Sequence, residues 1–224
     1  MPWDCLGIFF GNGTSRKRRT VIRQPRCDGE WSTPMPPVKE GLAHFTIDAG
    51  ASLFTVQAFA SGMMAVIAHS PKFAIRDMAG EIEFVPGTMQ KALVNMTINV
   101  GSLEIMDEVD NSERREIERV MFDEVLERRH YPKVEYRSVN VSALKTGENM
   151  YRINVLGDLA LHGITRGVSL DAQVMAGEDT LRAQGSFSIV QSDFGLQIAS
   201  VAGGTLKLKD ELKFSYFILA RRAK

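Results

Sequence analysis

Gly185-Ser-Phe-Ser-Ile-Val-Gln-Ser-Asp-Phe-Gly-Leu-Gln197 and Lys213-Phe-Ser-Tyr-Phe-Ile-Leu-Ala220 decide the fold. Each alternates apolar and polar residues with period two, the repeat of a strand buried on one face. Phe187 and Ile189 share one side of the first segment. Phe214, Tyr216 and Ile218 share one side of the second. Ser192-Asp193-Phe194-Gly195 is a turn, in which Asp bonds local backbone and Gly supplies a positive φ.

The same pattern extends toward the N-terminus. Leu42–Asp48 and Ser52–Ala60 alternate, with Phe54, Val56 and Ala58 on one face of the second. Phe73–Phe84 reads as one or two strands, closed by the Pro86-Gly87 turn. Lys91–Glu104 places Val94, Met96 and Ile98 on one side. Further strands are expected at 133–142, 150–160, 167–175, 180–191 and 205–220. Many short strands separated by turn signals indicate a sandwich or a barrel. Residues 62–68 read as a short helix or an irregular apolar connection.

One segment departs from the pattern. Ile117, Val120, Met121 and Val125 recur at helical spacing within Asp110–Arg129. Asp110 and Glu113 form an N-terminal capping pair, and His130-Tyr-Pro132 ends the helix. One amphipathic helix against a mouth or side of a barrel fits this order.

Composition excludes several classes. The chain has 224 residues, 44% apolar and 24% charged, with zero formal net charge. These values suit a soluble globular protein with a full core and argue against a general nucleic-acid binder. Arg16 to Arg26 carries six basic groups and no acid. Residues 1–40 lack periodicity and end in Thr33-Pro-Met-Pro-Pro37, which predicts a disordered tail leading into one domain at 41–224. Cys5 and Cys27 both lie in this tail without a CxxC partner, so neither a disulfide framework nor a thiol zinc site is indicated. No apolar run is long enough for a transmembrane segment. Leu6–Phe10 is too short for a signal core, so the expected location is cytoplasmic, or periplasmic if the start is misassigned.

Catalytic and cofactor motifs are weak. His44, His69, His130 and His162 show no metal-ligand spacing; His162 is expected to cap or hydrogen-bond within the Leu161-His-Gly163 turn. Asp193-Phe194-Gly195 spells a kinase triplet, yet the chain has neither a phosphate loop nor a His-Arg-Asp loop. Gly11-Asn-Gly13 is not a dinucleotide fingerprint, and no GxSxG elbow occurs. The acids between Glu104 and Asp110 do not match an EF-hand and read as a solvated helix entry. No cofactor, metal or enzyme activity is expected.

Five groups of residues carry a family resemblance. They are Phe45-Thr-Ile-Asp48; Val94-Asn-Met-Thr-Ile-Asn-Val-Gly-Ser102; Phe122-Asp-Glu-Val-Leu126 with Tyr131-Pro-Lys-Val-Glu-Tyr-Arg-Ser138; Tyr151 with Gly157-Asp-Leu-Ala-Leu-His-Gly-Ile-Thr-Arg166; and Ser192-Asp-Phe-Gly195. In this order, over about 42–222, the chain resembles the YceI-like family. The resemblance implies an all-β, lipocalin-like antiparallel barrel of about eight strands with one flanking α-helix. It also implies non-enzymatic binding or carriage of a long isoprenoid-like lipid, either a polyprenyl chain or a quinone tail.

In such a barrel the alternating apolar positions face inward. The expected ligand-lining residues are Phe54, Val56, Val94, Met96, Ile98, Tyr136, Ile153, Val155, Phe187, Phe214 and Tyr216. Periodicity alone favours a dry, packed core over a ligand cavity. A structural or stress-related protein with a filled barrel therefore stays open, as does a small enzyme acting on a lipid-like substrate. A homodimer is compatible with the sequence.

Overall fold

A computed structural model describes residues 41–61, 70–197, 200–201 and 206–223, all within the unit Val38–Lys224. The expected tail at 1–40 and the connection at 62–68 lie outside the described residues. Strands β1 (Ala43–Ile47), β2 (Leu53–Ser61), β3 (Lys72–Ile75), β4 (Met78–Val85), β5 (Gln90–Asn99) and β6 (Leu103–Ile105) come first. After a helical segment come β7 (Lys133–Gly147), β8 (Met150–Leu161), β9 (Ile164–Ala176), β10 (Thr180–Val190), β11 (Ser200–Val201) and β12 (Leu206–Arg222).

All pairings are antiparallel. The ring runs β1-β4-β5-β7-β8-β9-β10-β12, and β12 closes onto β1 through Phe45↔Arg222 and Ile47↔Ala220. The described residues form an all-β barrel of eight walls with one flanking α-helix. The six short strands at the start are three bent walls. β1 and β2 both pair with β12, while β3 pairs with β2 and β4 with β1. β6 and β5 repeat the relation one wall further on.

Polar residues make the bends. Asp48 caps the turn at Ala49–Ala51 by accepting from Ala51 N at 3.1 Å, and accepts from Arg221 Nε at 2.7 Å. Ser52 Oγ accepts from Leu219 N. Asn99 accepts from Gly101 N and donates to Asp77 Oδ2 at 3.0 Å. Each side chain satisfies backbone that leaves the ladder at a corner.

β7 pairs with β5 but not with β6, so the wall opens there. The helical segment between β6 and β7 packs into that opening. Helix α1 (Asn111–Arg119) starts at Asp110, whose carboxylate accepts from Ser112 N and Glu113 N. The expected helix to residue 129 is not continuous. It widens into a π-helical turn over Val120–Val125 and stops at Glu127, in the left-handed region at φ 43°. Arg128 N donates to Phe122 O at 2.9 Å, a bond six residues long that closes the widened turn before His130. The physical reason for the widening is packing: α1 buries none of its residues, whereas the turn buries Met121 and Phe122 against Val56, Phe73, Val100 and Ile105.

The core fills one end of the barrel. Phe45 stacks on Phe84 at 5.4 Å, and Met78, Ile82, Met89, Tyr151, Leu181 and Ile218 close around them. This is the end carrying the hairpins at Pro86–Met89, Glu148–Asn149 and Gly177–Asp179. No helix among the described residues is long and apolar enough to cross a membrane.

Candidate functional site: a one-ended apolar cavity

The other half of the barrel is hollow. A cavity of about 600 Å³ lies between the packed end and the helical segment. Its walls are Val56 and Phe73 on one side, Met96, Ile98 and Val134 on another, and Leu159, Leu161, Val168 and Leu170 opposite. Ile117, Val120, Met121, Val125 and Leu126 roof it. A volume of this size is within the range of small-ligand sites, about 300–1,000 Å³.

The eleven expected lining residues separate into two groups. Phe54, Val56, Met96, Ile98, Tyr136, Phe187 and Phe214 border the cavity. Val94, Ile153, Val155 and Tyr216 do not: Val94, Ile153 and Tyr216 pack against the filled end, and Val155 lies buried in the cluster of Tyr136 and Leu159. Alternation fixes the face of a strand but not the depth along the barrel axis, so it could not separate them. The roof residues were missing from the expected set. Their helical apolar stripe was the signal available.

An aromatic group divides hollow from filled. Phe187 and Phe214 sit opposite each other on β10 and β12 and stack at 4.8 Å with 7° between rings. Phe54 meets Phe214 edge-on at 6.0 Å, and Tyr216 at 5.9 Å. Two tyrosines lie along the wall. Tyr136 donates to Val155 O at 3.0 Å, and Tyr216 to Asp171 O at 3.0 Å. Burial pushes the Tyr216 phenol up to about 12, helped by Asp171, and raises that of Tyr136 as well.

Polar groups collect at the mouth. Asp107, Asp110, Ser112, Glu113 and Glu116 border it, and among the described residues no Lys, Arg or His borders the cavity. Backbone N–H groups of Glu113 and Ser112 hold Asp110 below the usual carboxylate range, and the Arg119 guanidinium does the same for Glu116. Both are therefore anionic at neutral pH. Gln191, 3% exposed, is the polar group on the β10 side, and its amide nitrogen donates to Lys209 O at 2.9 Å.

Catalytic pairing is not assembled here among the described residues. His162 does not cap its turn as expected. Its Nε2 is buried without a hydrogen bond, 3.9 Å from Glu127 Oε1, and its ring lies 4.3 Å from that of Tyr131. In the Ser192–Gly195 turn, Gly195 has φ 66°, as expected, but the carboxylate that accepts from Ser192 N and Oγ belongs to Asp210 rather than Asp193. The long β12 brings Asp210 across to the turn. No group of three or more metal-ligating side chains occurs among the described residues.

These features define a hollow up-and-down barrel with an apolar interior and one open end. Residues 45–218 match the YceI-like domain, and the chain belongs to that family. No curated protein matches it. Among solved structures it is similar to BcnA of Burkholderia cenocepacia, with 18% identity and a TM-score of 0.58 over 77% of this chain and 98% of that one. It is also similar to a polyisoprenoid-binding domain from Saccharophagus degradans implicated in plant cell wall breakdown. There the identity is 15% and the TM-score 0.56, over 82% of this chain and all of that one.

Proposed function

We propose that this protein binds and carries an isoprenoid-like lipid, a polyprenyl chain or quinone tail, inside the barrel and without chemical conversion. The cavity of about 600 Å³, walled by Val, Leu, Ile, Met and Phe, is the observation that supports this most directly. The polyisoprenoid-binding neighbour supports it independently. Each buried methylene contributes about 0.8 kcal/mol. A chain filling the cavity therefore reaches micromolar affinity, about 8 kcal/mol, even after a comparable association cost. Among the described residues of the cavity wall no acid is paired with a base, which favours a carrier over a catalyst. Native mass spectrometry and organic extraction of protein purified from its own host test the proposal. Bound polyprenyl lipid or quinone is expected. Ligand-free protein that also takes up neither in titration rejects it.

A further inference from the structure

The hollow ends at an aromatic partition, and that partition limits what can enter. Phe54, Phe187 and Phe214 border the cavity, whereas Tyr216, immediately beyond them, does not. Past Tyr216 the interior is occupied by Phe45, Ile82, Tyr151 and Ile218, each at most 9% exposed. The partition is held from several sides. Phe187 and Phe214 are cross-strand partners in a parallel stack, and Phe54 braces Phe214 and Tyr216 edge-on. Tyr216 is in turn anchored by its bond to Asp171 O. A chain entering past the helical roof therefore meets a blind wall. At about 30 Å³ for each non-hydrogen atom, taken from the density of liquid water, the space holds on the order of 20 such atoms, about four isoprene units.

We propose that the Phe54–Phe187–Phe214 partition is a chain-length ruler, which makes the preferred ligand a short isoprenoid whose tail ends on these rings. The proposal rests on the carrier function above. A longer polyprenyl chain would leave its remaining units outside the barrel, where they gain no burial.

The test is a titration of the full chain with geraniol, farnesol, geranylgeraniol and solanesol, followed by ligand-displacement fluorescence. Affinity is expected to climb by up to about fourfold per added methylene as far as geranylgeraniol, and solanesol to add less than about tenfold beyond it. In Phe187→Ala, which removes one ring of the stack, solanesol is expected to gain at least about tenfold over geranylgeraniol. The series on the unaltered protein stands even if that variant fails to fold. Affinity that keeps climbing steeply from geranylgeraniol to solanesol overturns the ruler while leaving the carrier function intact. Uptake of none of the four overturns both.

Discussion

Tyr216 on β12 lies directly opposite Gly185 on β10, and the tyrosine ring occupies the space that a side chain at Gly185 would need. A Cβ built there would stand 2.6 Å from the Tyr216 hydroxyl oxygen. The absence of a side chain lets the ring lie flat and reach Asp171 O one strand further on. Gly157, opposite Ser138 and diagonal to Tyr136, makes similar room, with a Cβ 2.5 Å from the Tyr136 ring. Gly185→Ala is expected to destabilise the fold by about 1–3 kcal/mol through overpacking. Tyr216→Phe should cost about 0.5–1.5 kcal/mol by removing the bond. Urea unfolding of both variants checks the order of the two effects.

Alkali should weaken the fold before it affects the chain chemically. The folded pKa of Tyr216 is about 12, above its ordinary value of 10.0, because burial disfavours the phenolate. The unfolded state therefore ionises first. Stability is full below the unfolded value and is lost as pH rises from there toward the folded one. Tyr136 is shifted in the same direction by burial. Denaturant midpoints measured across this window should fall, and Tyr216→Phe should flatten part of the fall.

The charge of the mouth predicts head-group preference. With Asp107, Asp110, Glu113 and Glu116 at the rim, a phosphorylated isoprenoid is repelled where its alcohol is not. Geranylgeraniol should bind about tenfold more tightly than its phosphate at low salt, and the gap should narrow as salt screens the rim. Asp107→Asn with Glu113→Gln should narrow it without added salt. Equal affinities at low salt would contradict this.

A charge in the wall should empty the cavity. Met96 is an apolar wall residue on β5 bordering the hollow, so Met96→Arg places a guanidinium where a hydrocarbon would lie. Lipid uptake is expected to fall below detection while the far-ultraviolet circular dichroism of the barrel is retained.

The β8–β9 hairpin turns on two residues with positive φ, His162 at 52° and Gly163 at 74°. Asn tolerates this region and a β-branched residue does not. His162→Asn should leave the melting temperature nearly unchanged, and His162→Val should lower it by several degrees, for a cost of about 1–2 kcal/mol. Differential scanning calorimetry distinguishes the two.

Much of this architecture was legible in the chain. Period-two alternation placed β7 to β10 and β12 within a few residues of their observed bounds. It assigned inward residues on β7, β8, β10 and β12, including Phe187, Phe214 and Tyr216, but none on β9, where Val168 and Leu170 border the cavity. Asp110 was recognisable as a cap because its chemistry acts on amides two and three residues away. The break between β1 and β2 was legible at Ala49-Gly50. The division of β5 from β6 within Lys91–Glu104 was not, since that bend depends on bonds such as Asn99–Asp77 to the corner between β3 and β4. Nor was the π-helical turn, which answers to the shape of the hole it covers.

Strand character and facing are local properties, set by the sterics of neighbouring residues, and so they were written into short windows of sequence. Emptiness is not local. Val94 and Met96 share one face of one strand, yet Met96 borders the cavity and Val94 packs against the filled end. What separates them is their height relative to an aromatic stack contributed by β2, β10 and β12, and that height exists only once the barrel has closed.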